Sequence, residues 1–209
     1  MAARIDRVVT SGTFRLDGEA VPVENNVWLL GDDDQVMVID AAHDSGPIRA
    51  AIGNRRLFGV ACTHGHNDHI DQAPVIADEF GGPTMLHPAD LELWHQTHGE
   101  DSVADEDLVG GQELRFAGVV VRVLHTPGHT PGSVSLYVPA LETVFSGDTL
   151  FPGGPGRTGQ SFSDYDLIIR SIQDELMSLP PATKVLPGHG DSTTIEKEAP
   201  YIRGLTGGY

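Results

Sequence analysis

The feature that most constrains this chain is a cluster of metal-competent side chains at residues 64–69, which read H-x-H-x-D-H. Imidazole and carboxylate are ligands that zinc, iron and manganese accept, whereas a polar loop that caps a helix would explain only one of the four side chains. Side chains of neighbouring residues diverge, so one ion cannot easily collect all four. We therefore predict two metal ions, with His64 and His66 on one and Asp68 and His69 on the other.

Further ligands are expected downstream, because an apolar run followed by a turn with glycine and a potential ligand recurs along the chain. The run over residues 57–62 predicts a buried strand that leads into the cluster. Three later strand-like runs, over residues 119–124, 141–145 and 184–186, lead to His129, Asp148 and His189. Glycine lets the backbone bend sharply and approach an ion closely, which favours ligand roles for all three.

These motifs, in this order, resemble those of the metallo-β-lactamase superfamily, and within it the short bacterial form of glyoxalase II, a hydroxyacyl-thioester hydrolase. The resemblance runs from about residue 25 to residue 201. It implies a four-layer αββα sandwich, whereas the residues alone predict only an α/β fold with ligands at strand ends. Residues 1–209 are expected to form a single domain. Only 20 residues follow His189, so we expect no separate C-terminal helical domain.

The resemblance also implies a role for each ligand. It gives His64, His66 and His129 to the first metal, Asp68, His69 and His189 to the second, and Asp148 to both as a bridge. An aspartate at position 148 resembles the hydrolase branch more than the lactamases that have cysteine there. Asp40 follows an apolar strand, so we interpret it as an acceptor that orients a ligand; the alternative is a helix or turn cap.

A segment rich in glycine and proline at residues 150–159 predicts a lid or a binding loop. In glyoxalase II a glycine and a cationic residue in this region contact a carboxylate of the thiol carrier. Gly156 and Arg157 fit that pattern, so Arg157 is the predicted substrate-binding residue. Gly159 replaces the aromatic residue of the family, which leaves glutathione, mycothiol, bacillithiol and coenzyme A all open as the thiol.

The expected reaction is hydrolysis of a thioester between a small hydroxy or acyl acid and a low-molecular-weight thiol. Two divalent ions, most simply zinc, with iron or manganese also suitable, lower the pKa of a bridging water from about 16 toward 7. The resulting metal-bridging hydroxide attacks the carbonyl. Asp148 and Asp68 are the predicted catalytic residues: Asp148 holds the ions at their separation, and Asp68 accepts or orients a proton.

Three other functions are compatible with the sequence. A persulfide dioxygenase would use one iron on the equivalents of His64, His129 and Asp148. A lactone or lactam hydrolase would share the nucleophile and differ in its pocket. A scaffold that retains metal only for stability is the non-enzymatic alternative, but a set of seven ligands is hard to explain without chemistry.

Composition restricts the partners. Thirteen Lys and Arg against 30 Asp and Glu give a net charge of −17, which repels nucleic acid. No apolar run has the length of a signal peptide or a membrane span, so a small-molecule substrate and a cytoplasmic location are expected. The single cysteine, Cys62, excludes an internal disulfide and is interpreted as a small buried strand residue. Oligomeric state stays open.

Apolar spacing and capping signals predict four helices, over residues 45–53, 70–80 and 88–97, and after Ser163 as N-cap. The resemblance implies a fifth, closing helix over residues 195–205. Five histidines lack the context of strand, glycine and ligand, so we expect them to have surface or ordinary hydrogen-bonding roles: His43, His87, His95, His98 and His125.

Overall fold

The computed structural model describes residues 2–205, and two six-stranded sheets form its centre. The first sheet has its strands in chain order: β1 (Arg4–Leu16), β2 (Glu19–Gly31), β3 (Gln35–Ile39), β4 (Arg56–Ala61), β5 (Thr84–Leu86) and β6 (Glu106–Asp107). Strands β1 to β3 are antiparallel, and β3 to β6 are parallel. The carboxyl ends of β3 and β4 therefore meet at one edge of the sheet.

The second sheet has the order β14-β13-β10-β9-β8-β7. Its strands are β7 (Glu113–Phe116), β8 (Val119–His125), β9 (Val134–Val138), β10 (Thr143–Gly147), β13 (Lys184–Pro187) and β14 (Thr193–Thr194). Only β10 and β13 are parallel, so their carboxyl ends lie side by side. A separate two-stranded hairpin, β11 (Leu150–Phe151) and β12 (Gly154–Pro155), follows β10.

Six α-helices cover the sheets: α1 (Ser45–Ile52), α2 (Asn67–Ile70), α3 (Ala73–Phe80), α4 (Leu91–His98), α5 (Tyr165–Ser171) and α6 (Ile195–Ile202). Short 3₁₀ turns lie at Pro88–Asp90 and Pro139–Leu141, and one wider turn, Ile172–Leu176, continues α5. Among residues 2–205, no helix combines the length and the apolar character needed to cross a bilayer.

Two helix starts differ from the sequence-based predictions. The helix expected from Ile70 is interrupted before Ala73, because Pro74 has no N–H to donate to the preceding turn. The Ile70 carbonyl accepts a hydrogen bond from His98 Nε2 instead, at 3.1 Å. The N-cap of α5 is Asp164 rather than Ser163, since the Asp164 carboxylate accepts from the Leu167 N–H at 2.8 Å.

Apolar residues divide into three buried layers, as the alternation of side chains along a strand requires. On β2 and β3, Leu29 and Val38 pack under α1, α3 and α4, whereas Leu30 and Ile39 point into the space between the sheets. The other face of the second sheet packs against α5 and α6. The order helix, sheet, sheet, helix is the four-layer αββα sandwich, so the predicted fold class is confirmed.

Candidate metal centre

The first ligand group consists of three buried histidines from two loops. His64 and His66 follow β4, and His129 follows β8. His66 Nδ1 lies 3.0 Å from His64 Nε2 and 3.0 Å from His129 Nε2. Two nitrogens on one tetrahedral zinc, each about 2.0–2.1 Å from it, are separated by about 3.3 Å, so these three atoms face one potential metal position.

The second group consists of Asp68, His69 and His189. His69 Nε2 lies 3.3 Å from His189 Nε2, and Asp68 Oδ2 lies 3.4 Å from the same nitrogen. Asp68 and His69 are buried on α2, whereas the His189 side chain is 24% exposed after β13. The second group is therefore the part of the centre that opens toward solvent.

Asp148, after β10, stands between the two groups. Its Oδ1 lies 3.6 Å from His69 Nε2 in the second group. Its Oδ2 lies 3.7 Å from His129 Nε2 in the first group and 3.3 Å from His189 Nε2 in the second. One carboxylate thus faces both potential metal positions, which is the arrangement that a bridging ligand requires. All seven residues expected as ligands lie together.

Three ligand histidines, His64, His129 and His189, are oriented by contacts of their other ring nitrogen. His129 Nδ1 donates to the Arg157 carbonyl at 2.8 Å, and His189 Nδ1 donates to the Glu24 carbonyl at 2.7 Å. His64 Nδ1 lies 3.1 Å from the Thr63 hydroxyl oxygen. Because these contacts hold the proton on Nδ1, each Nε2 keeps its lone pair for a metal.

Asp40, which we interpret from the sequence as an orienting acceptor, contacts the other nitrogen of His69. Its Oδ2 accepts from His69 Nδ1 at 2.9 Å and from the Thr63 hydroxyl at 2.7 Å, and its Oδ1 accepts from the Thr63 N–H at 2.7 Å. Asp40 is buried at the end of β3 with a positive φ of 57°. A non-glycine residue is strained in this conformation, and these three bonds hold it there.

The two groups differ in charge. Burial and, to a smaller extent, the neighbouring His129 lower the pKa of His66 to about 3. Burial also lowers the pKa of His69 and His189, but nearby Asp68 and Asp148 more than reverse this, raising them to about 9 and about 11. Without metal, the first group is therefore neutral at pH 7, and protons on the second group neutralise the carboxylates.

Buried atoms at the centre test whether a metal fits. Asp68 Oδ1 and Asp148 Oδ1 are buried and accept no hydrogen bond from the described residues. An unsatisfied buried carboxylate oxygen is unfavourable, and a cation would satisfy it. Imidazole nitrogens with carboxylate oxygens form a donor set that suits zinc, iron or manganese. The residues present thus fit a pair of divalent ions.

A cavity of about 170 Å³ opens onto the centre. The hairpin of β1 and β2 contributes apolar Phe14, Val21 and Val23 to its lining. Arg157 also lines the cavity, with its side chain 69% exposed and its guanidinium 4.0 Å from Glu19. The predicted substrate-binding residue therefore lies at the solvent edge of the site, while its backbone carbonyl holds His129.

Sequence reasoning missed Asp90, which ties the two loops of the first group together. Its carboxylate accepts from the Gly65 N–H at 2.7 Å, the Thr130 hydroxyl at 2.6 Å and the Gly132 N–H at 2.6 Å. Burial raises the pKa of Asp90, although these donors act in the opposite direction. A lone aspartate before a helix reads as a cap, so the sequence carried no signal for this role.

The other histidines stay outside the centre. Within the described part of the chain, none of the five belongs to a group of side chains with metal-binding geometry. His87 stacks on His125, with 4.3 Å between ring centroids, and His125 Nε2 donates to the Pro131 carbonyl at 3.0 Å. His43 differs because it is buried beside the ligands, where it contacts Asn25.

Comparison with known proteins decides the family. The sequence matches the metallo-beta-lactamase superfamily over residues 20–189. The chain belongs to the metallo-β-lactamase superfamily. A relative in Bacillus subtilis, the probable metallo-hydrolase YqgX, is 32% identical over 201 residues, which cover 88% of this chain and 95% of YqgX. The predicted membership is thus confirmed, and the chain is a metallo-hydrolase of this superfamily.

Two further similarities concern substrate and metal. Hydroxyacylglutathione hydrolase GloC of Haemophilus influenzae is 29% identical over 208 residues, covering 86% of this chain and 93% of GloC. The crystal structure of TTHA1623 in a di-iron-bound form matches with a TM-score of 0.75 and 31% identity, covering 86% of this chain and 94% of that one. The superfamily fold in this chain therefore carries a histidine-rich potential dimetal site.

Proposed function

We propose that this metallo-hydrolase uses two divalent metal ions to cleave a thioester between a small hydroxy or acyl acid and a low-molecular-weight thiol. The observation that carries the proposal is the position of Asp148, whose carboxylate lies within 3.7 Å of ligand nitrogens in both groups. A single iron held by His64, His129 and Asp148 would leave the contacts of Asp148 with His69 and His189 without a metal. The similarity to GloC, a hydroxyacylglutathione hydrolase, supports the thioester as substrate class.

Bound divalent ions would supply a hydroxide nucleophile at neutral pH and polarise the carbonyl oxygen. His64, His66 and His129 would hold one ion, Asp68, His69 and His189 the other, and Asp148 both. Within residues 2–205, the side chains that line the cavity include no serine or cysteine, so the chain offers no hydroxyl or thiol nucleophile of the usual kind there. A thiolate leaves readily, so no strong general acid is needed.

Asp68 has a second role in this proposal. Its pKa is held at about 2, because the adjacent His69 and His189 outweigh the effect of burial. The carboxylate is therefore ionised at neutral pH, so it would be able to hold a metal and to accept or orient a proton of the attacking water. Arg157 binds the remote end of the substrate at the cavity edge. Zinc is the proposed metal, and the di-iron form of TTHA1623 makes iron its direct competitor.

The test is metal content measured together with thiol release and oxygen uptake. About two metals per chain, with thiol released from an acyl-thiol substrate and no oxygen consumed, is the expected result. One iron per chain with persulfide-dependent oxygen uptake would replace the hydrolase by the dioxygenase. Release of product from lactones or lactams, but not from thioesters, would keep the centre and change the substrate.

Two ligand variants sharpen the test. His66→Ala and His189→Ala each remove one ligand from a different group and are expected to abolish hydrolysis in a folded protein. His87→Ala is the matched control, because His87 lies outside the centre and stacks on His125. Full activity in either ligand variant, with circular dichroism unchanged, would contradict the mechanism that needs two metals.

A further inference from the structure

A buried amide lies directly behind the second ligand group. Asn25, on β2, is fully buried, and its Nδ2 donates to the Asp68 backbone carbonyl at 2.7 Å and to Asp68 Oδ2 at 3.1 Å. Asp68 Oδ2 is also the oxygen that faces His189 Nε2 at 3.4 Å. The amide therefore holds the oxygen that would bind the second metal, and holds the backbone that carries it.

The orientation of this amide is fixed from its other side. The Asp68 oxygens can only accept, so the Asn25 NH₂ group faces them and Asn25 Oδ1 faces His43 Nε2 at 2.9 Å, which therefore carries the donated proton. A reversed amide would place its NH₂ group against that donor and its oxygen against the Asp68 carboxylate. His43 thus makes one of the two amide orientations far more favourable than the other.

The position of His43 is determined in turn by Asp71. The His43 side chain is only 4% exposed, and its backbone has a positive φ of 61°. Asp71 Oδ1 accepts from the His43 N–H at 2.7 Å, and Asp71 Oδ2 lies 3.6 Å from His43 Nδ1. A carboxylate at the surface end of α2 therefore stabilises the strained backbone that carries the ring.

We propose that Asn25 is a positioning residue for the second ligand group, and that His43 and Asp71 act through it. The chain of contacts runs from Asp71 through His43 and Asn25 to Asp68. Its function is to hold the Asp68 carboxylate in the ligand geometry before metal arrives. Groups that orient a metal ligand in this way contribute about 10–100-fold to metal affinity. The inference rests on the proposed two-metal centre and adds residues that the ligand motif does not contain.

The experiment measures zinc affinity rather than activity. The zinc-loaded full-length protein is titrated with a chromophoric chelator, which gives a dissociation constant for each of two equivalents. Asn25→Ala is expected to raise the dissociation constant of one zinc ion by about 10–100-fold and to leave that of the other zinc ion near its wild-type value. Asn25→Asp keeps the volume but replaces the donor by an acceptor, and is expected to weaken the same equivalent at least as much.

The His43 variants test the rest of the chain of contacts. His43→Leu removes the donor to Asn25 and is expected to weaken the same equivalent, whereas His43→Gln keeps an N–H donor and is expected to restore most of the affinity. In the Asn25→Ala background, His43→Leu should have no further effect, because it acts only through the amide. Thr84→Val removes a buried hydroxyl bound to Asp105, far along the sheet, and controls for general loss of stability.

Each outcome is decisive. If Asn25→Asp binds both zinc ions with wild-type dissociation constants, Asn25 has no positioning role. The same conclusion follows if Thr84→Val weakens zinc binding as much as the Asn25 variants do. Independent, additive losses from Asn25→Ala and His43→Leu would refute the link through His43. A wild-type protein that binds fewer than two zinc ions would instead refute the two-metal centre, and the inference with it, so the two failures are distinguishable.

Discussion

Loading the centre with metal should release protons, and nearly all of them should come from the second group. A histidine binds metal only through an unprotonated nitrogen. The pKa values of about 9 for His69 and about 11 for His189 mean that both rings are protonated at pH 7 without metal. The pKa of His66, at about 3, means that this ring is already neutral.

The expected count follows from these values. At pH 7 the two raised histidines together carry about two protons, so filling both positions should release about two protons per chain. At pH 9 His69 is about half protonated, and the count should fall to about 1.5. The number of protons released by these histidines falls as the pH increases. The reason is that each ring loses its own proton to solvent as the pH approaches its raised pKa, so the metal has fewer protons to displace.

Calorimetry of zinc binding in two buffers with different ionisation enthalpies measures this count directly. A water that ionises on the bound metals would raise the number and cannot lower it. Release of fewer than about one proton in total at pH 7 would therefore refute the charge assignment of the second group.

Two substitutions test the surroundings of the centre. Arg157→Ala is expected to raise KM far more than it lowers kcat, since its guanidinium lines the cavity edge while its carbonyl still holds His129. Steady-state kinetics with an acyl-thiol measure this, and an unchanged KM would remove Arg157 from the site. Asp90→Asn sets an amide against three donors and is expected to lower the free energy of unfolding by about 1–3 kcal/mol. Thermal unfolding measures this loss in stability. Asp101 is exposed, so Asp101→Asn is the control, and an equal loss in both variants would contradict the role of Asp90.

The seven ligand candidates were predictable because each has a local signature. Four lie within residues 64–69, and three follow a strand and a glycine turn, so adjacent residues alone indicate them. The short continuous apolar run over residues 36–39 predicts β3 for the same reason. The start of α3 at Ala73 and the N-cap of α5 at Asp164 were missed because proline and competing cap residues shift a boundary by a few positions.

The supporting residues were decided by tertiary structure. Asn25 and Asp68 are 43 positions apart, and Asp90 and Gly132 are 42 apart, so neither contact leaves a local pattern. The order of the strands brings them together. A buried polar residue acquires its role only from the partner that the fold places opposite it.

The sequence by itself determined which side chains can bind metal, because ligand chemistry belongs to the residue type. The tertiary structure decided which nitrogen of each histidine faces the centre. His129 and His189 are oriented by the backbone carbonyls of Arg157 and Glu24, which lie 28 and 165 positions away. Every residue type offers such a carbonyl, so no sequence pattern encodes this orientation. Only the folded chain brings the acceptor to the ring.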